Sequence, residues 1–170
     1  MKKILALMLA LGLLNGCAAT SQVNSEYNGA DIDFAEMMIP HHEQAIVMSD
    51  LALTTSSSEE ILALAQEIKA AQSPEIELMK SWSGVNASTH MGHMMDGMLS
   101  DSQIQQLRDS EGATFDRLFL EGMIAHHEGA ITMAQDVIGS GNKEVAALAA
   151  AIIEAQEKEI ALMKDLLKRY

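Results

Sequence analysis

Residues Phe34–Asp50 read FAEMMIPHHEQAIVMSD and residues Phe119–Gln135 read FLEGMIAHHEGAITMAQ; laid over one another without a gap, they agree at ten of seventeen positions. A second stretch follows each. Glu60–Lys80 agrees with Glu144–Lys164 at twelve of twenty-one positions, and the connecting segments differ in length by one residue. A unit of two segments therefore occurs twice, and an internal repeat of this kind sets the architecture before any single residue does.

Within the unit the period is helical. Leu64, Ile68, Ala71, Gln72, Glu75, Ile76 and Met79 fall at three- and four-residue steps, the spacing of one helix face. Ala, Leu, Glu, Met and Gln dominate, all strong helix formers. The pattern predicts helices over about 31–54, 58–81, 114–138 and 142–168, with a short one near 101–110. Ser57 with Glu60 offers a capping box, Thr114 ahead of Asp116 a second cap, and Gly139–Gly141 a break between the last two helices. The expected fold class is all-α: an antiparallel four-helix bundle built from two repeated helical hairpins. Repeat 1 spans 31–81, a Met/His-rich linker 82–113, and repeat 2 114–168. Pro40 is the irregularity, since proline within a helix removes a hydrogen bond and kinks the axis; the second copy has Ala125 there.

Composition narrows the function. The 170 residues carry a net charge of −13, from 11 Lys and Arg against 24 Asp and Glu. No nucleic-acid partner is expected, because a phosphate-backbone binder needs a basic face. One Cys excludes a disulfide framework and any thiolate zinc site. What stands out is 13 Met and 6 His beside only 6 aromatic residues.

The N-terminus reads as an export signal over residues 1–16, with Lys2 and Lys3 ahead of the apolar run Ile4–Leu14. Its end, Leu14-Asn15-Gly16-Cys17, resembles the lipobox of bacterial lipoproteins. That resemblance implies cleavage before Cys17, lipidation of its sulfur and a lipid anchor as the chain's contact with a membrane. With Ala18 next, it implies the outer membrane of a Gram-negative envelope, facing the periplasm. Residues 17–30 are expected to be a flexible tether.

All six histidines occur in pairs: His41-His42, His126-His127, and His90 with His93. On a wheel of about 100° per residue His41 falls in the middle of the inward stripe, between Met48 and Phe34, and His42 at its flank beside Met38. The second copy repeats this with His126, His127, Met123 and Met133. Glu43 and Glu128 lie far round the wheel and are expected at the surface. Two imidazoles from each half would then approach one central zone. Burying them unpartnered is costly. Hydrogen bonds to Gln72, Gln156, Glu75 or Glu159 would relieve that cost as a polar core network, and so would metal ligation, with Met38, Met48, Met79, Met123, Met133 and Met163 as nearby thioethers.

The linker is more specific. Residues 90–98 read HMGHMMDGM, placing His90, Met91, His93, Met94, Met95 and Met98 in a polar, glycine-interrupted segment with no apolar core to fill. Thioether and neutral imidazole together select Cu(I) or Ag(I), and imidazole also holds Cu(II). A di-iron or di-manganese oxidase would need a Glu three residues before a His, and none is present. No catalytic role is expected.

DFAEMMIPHHEQAIVM and FLEGMIAHHEGAITMA, each followed by a helix ending EIELMK or EIALMK, resemble the domain of unknown function 305 family over about Asp31 to Lys168. The shared core is Met-x-x-His-His, at Met38, His41, His42 and at Met123, His126, His127. The resemblance implies an exported, ferritin-like four-helix bundle, and some members bind copper. The expectation is an envelope protein that sequesters or transfers copper (Cu(I) or Cu(II)) or silver, with a metal-exchange protein as partner.

Overall fold

The computed structural model describes residues 26–170. The expected export signal, Cys17 and most of the expected tether lie outside the described residues. Among the described residues five α-helices follow in order: α1 Gly29–Thr55, α2 Glu59–Ser81, α3 Asp101–Arg108, α4 Gly112–Val137 and α5 Lys143–Leu166, closed by a 3₁₀ turn at Leu167–Arg169. α1 pairs with α2 and α4 with α5, as the repeat requires, and the two hairpins meet along α1 and α4. The fold is the expected all-α bundle.

The helix ends correct three local expectations. Ser58, not Ser57, caps α2, its hydroxyl accepting the Ile61 N–H. Ile61 and Leu64 are fully buried, so core register rather than cap chemistry sets where α2 begins. Thr114 lies inside α4, which starts at Gly112 with no side-chain cap. The tether also ends earlier than expected, because Tyr27 is buried, stacks on Trp82 at 5.0 Å and donates its hydroxyl to Glu144 at 2.8 Å. Next to it, Asn28 and Asp31 form a capping box on α1. α1 runs on through Pro40, and α2 through Pro74.

Two buried aspartates tie each helix start to the opposite hairpin. Ser140, in the α4–α5 turn, donates its hydroxyl to Asp31 at 2.7 Å, and Ser56, in the α1–α2 turn, donates to Asp116 at 2.6 Å. These are the same contact in the two halves, since the repeat carries Asp31 onto Asp116 and Ser56 onto Ser140.

The core is divided. One apolar cluster holds Met48, Phe115, Phe119, Met123 and Met163 with the start of α2, and the other holds Phe34, Met38, Met79, Trp82 and the start of α5. Between them the buried residues change character. His41, His42, Gln72, His126, His127 and Gln156 are all buried, and in each helix they fall between the residues of one cluster and those of the other. The bundle has a polar waist. Residues 82–100 leave α2 and cross this waist as a non-helical strap on the way to α3.

Candidate functional site

The waist is assembled by position in the repeat. His41 and His126 lie on the faces where α1 meets α4, and their rings sit 3.8 Å apart between centroids, tilted by 41°. His42 and His127 are about 100° further round and turn into their own hairpins. There His42 Nε2 lies 2.8 Å from Glu75, and His127 Nε2 lies 2.6 Å from Glu159. A carboxylate only accepts, so each Nε2 carries the proton and donates it. His41 Nε2 likewise donates to the Asp96 carbonyl, at 3.2 Å.

Those three bonds fix the tautomers. With Nε2 protonated, Nδ1 carries the lone pair, and Nδ1 of His41, His42 and His127 are all buried without a protein partner. Both ring nitrogens of His126 are unpartnered, as are both amide atoms of Gln72 and Oε1 of Gln156. Leaving one such group buried and unsatisfied costs about 1–3 kcal/mol. A packed core does not collect so many in one layer without a use for them. An imidazole held by a carboxylate or carbonyl through one nitrogen, with a lone pair on the other, is the usual arrangement of a metal-binding histidine.

At His41 and His126 electrostatics keep the lone pairs free. Burial, with neighbouring His42 adding to it, pushes His41 from 6.5 down to about 3. Burial, followed by His41 and His127, holds His126 well below its ordinary value. Both are neutral near pH 7.

Of the expected bundle ligands, Met38, Met48, Met79, Met123 and Met163 are fully buried and Met133 is half-buried. They divide three and three: Met38, Met79 and Met133 on one side of the waist, Met123, Met163 and Met48 on the other. The repeat carries the first set onto the second. The four imidazoles do not converge on one point, since among the described residues no three His, Cys, Asp or Glu groups lie close enough to hold an ion. An ion at the waist would be held by fewer than three of these groups, with thioethers and the unpartnered glutamine oxygens as the other donors of the layer.

In the strap, His90 and His93 face each other with Nδ1 atoms 3.2 Å apart, while Met91 and Met94 are 67% and 60% exposed. Met95 and Met98 are half-buried. His93, Met94 and Met98 line a cavity of about 470 Å³ whose far wall includes Pro40 and Gln44. Glu43 and Glu128 lie at the surface as expected, paired with Lys80 and Lys164. Sequence reading missed the strap's hold on the waist: the Asp96 carbonyl, Gln44 and the close approach of Gly97 to Gly129. A signal existed, because Gln44 and Gly129 occupy the same repeat position and differ.

The family model of the domain of unknown function 305 (DUF305) matches residues 31–167. No curated protein matches the chain. Solved structures do. A DUF305 protein from Streptomyces coelicolor is 32% identical, with a TM-score of 0.74 over 82% of this chain and 93% of that one. A DUF305 fragment from Deinococcus radiodurans is 28% identical, with a TM-score of 0.74 over 84% and 98%. CopM in its Cu(II)-bound form is 34% identical, with a TM-score of 0.72 over 82% and 96%. CopM has also been solved with Cu(I) and with Ag bound.

Proposed function

The chain belongs to the DUF305 family, and from that premise we propose that it binds copper or silver ions in the cell envelope, sequestering them or passing them to a partner, without catalysis. One observation carries the reading: three buried imidazoles have Nε2 tied to an oxygen and Nδ1 left as an unpartnered lone pair, with a fourth beside them unpartnered at both nitrogens. Buried thioethers flank that layer on both sides. Neutral imidazole and thioether form a soft, uncharged donor set, suited to Cu(I) and Ag(I), with imidazole also accepting Cu(II). The kinship to CopM, solved with all three ions, supports the same cargo.

Two kinds of site follow. The exposed strap, with His90, Met91, His93 and Met94, captures ions from solution. The waist holds them, with His41, His42 and His127 oriented by Asp96, Glu75 and Glu159 and His126 beside His41. Acidic surface charge raises the local cation concentration. The two His–Glu pairs would also serve a purely structural polar core, but the unpartnered nitrogens beside them give such a core nothing. Anaerobic Cu(I) titration of the protein and of a His41→Ala/His126→Ala variant, with helicity checked by circular dichroism, separates the readings. We expect the variant to lose bound ions while strap-bound ions remain. Unchanged stoichiometry would sink the waist site.

A further inference from the structure

The four imidazoles of the waist are fully buried, so an ion reaches them only if part of the structure moves. At Glu75 and Glu159 the waist is closed by carboxylates bonded to His42 and His127, each held between two helices paired along their length. The strap is different. It is not helical, and over residues 96–99 its hold on the bundle is local: the His41–Asp96 bond, a two-bond pairing of the Gln44 side chain with the Leu99 main chain at 2.7 and 2.8 Å, and the seat of Leu99 over Gly122.

The two copies of the repeat have diverged where the strap lies. At one repeat position α1 carries Gln44, which grips Leu99, and α4 carries Gly129, on which the strap rests. A Cβ at Gly129 would stand 2.7 Å from the Asp96 carbonyl carbon, and one at Gly97 would stand 3.1 Å from the Ala125 carbonyl carbon. Gly97 also holds a φ of 81°, open to glycine. The Asp96 peptide is thereby pressed onto α4 one turn from His126 and onto the Nε2 of His41. At the other end of the same segment, Met98 and Leu99 line the cavity shared with Gln44, His93 and Met94.

Resting on the metal-binding reading above, we propose that ions enter and leave the waist through this cavity and that residues 96–99 are the gate. Opening needs only local detachment of the strap: Gln44 releases Leu99, and the Asp96 carbonyl leaves His41. Segments held by few contacts open at a small fraction of the cost of unfolding, and a lid of this kind sets exchange rates without setting affinity. Met94 and Met98 travel with the strap, so the same movement that bares the waist carries thioethers past it.

The test is the rate at which the fully loaded protein gives up Cu(I) to a chromophoric Cu(I) chelator, followed by stopped flow. The protein should show a fast strap phase and a slow waist phase. Gln44→Ala, which removes the grip, and Gly129→Ala, which crowds the strap off α4, should each speed the slow phase by about tenfold, with its amplitude kept. In Gln44→Ala the Leu99 amide, which donates to the Gln44 side chain, should exchange with deuterium faster by a similar factor. Faster exchange at Leu99 with an unchanged slow phase overturns the gate alone. A slow phase whose amplitude survives His41→Ala/His126→Ala overturns the waist site and the gate with it.

Discussion

At the scale of single residues, the waist turns on which nitrogen of each histidine is occupied. His42 and His127 are turned into their own hairpins and held by Glu75 and Glu159, whose side chains are only 18% and 15% exposed. Removing such a partner of a ligating histidine weakens metal binding by about 10- to 100-fold. We therefore expect Glu75→Gln with Glu159→Gln to lower Cu(I) affinity by that range in chelator competition while helicity is retained. A loss of helix instead would assign the glutamates to folding. His41 gives a second expectation, for the metal-free protein. Unfolded, it takes a proton below its ordinary 6.5, and folded, not until about 3. Between those values the unfolded state binds more protons, so stability present above pH 6.5 is lost as pH falls. The slope is about 1.4 kcal/mol per pH unit for this residue. Urea unfolding at pH 7 and pH 4.5, with His41→Gln as the flatter control, checks it.

At the scale of elements, the helices were legible because their stripes recur every three or four residues and recur again in the second copy. Their ends were not. A serine run before α2 offers two adjacent caps, and only the seating of Ile61 and Leu64 in the core chooses Ser58. The paired aspartates are a stronger determinant. Asp31 sits in the first turn of α1, where negative charge is favourable, Asp116 lies just past the first turn of α4, and each receives a serine hydroxyl from the other hairpin. Asp116→Ala strands the Ser56 and Tyr170 hydroxyls that bond it, and a loss of about 1–3 kcal/mol is expected. Asp31→Ala should cost about the same by symmetry, whereas breaking the exposed Lys164–Glu128 pair should cost well under about 1 kcal/mol. Chemical denaturation of the three variants ranks them, and aspartate losses that differ widely from each other, or that are no larger than the Lys164–Glu128 loss, would contradict the symmetric tie.

At the scale of the molecule, the duplication explains most of what is symmetric: two hairpins, two apolar clusters, two methionine triads, and two His–Glu pairs at one waist. The strap breaks that symmetry. It joins the hairpins once, crosses one side of the bundle, and leaves its imprint as Gln44 in one copy and Gly129 in the other. His41 gains a bond to the Asp96 carbonyl that its counterpart His126 lacks, although the two residues began as equivalents.

The sequence by itself determined the all-α class, the two hairpins, the burial of the histidine pairs and the surface position of Glu43 and Glu128, because periodicity and repetition are local properties of the chain. It also narrowed the partners of His42 and His127 to a few residues that include Glu75 and Glu159. Only the tertiary structure decided that His41 meets His126 while His42 and His127 turn away, that the six methionines divide three and three about the waist, and that residues 96–99 lie across it. Those facts depend on how two helix pairs are rotated and seated against one another. A helical wheel fixes the direction of a side chain within its own helix and says nothing of what stands opposite.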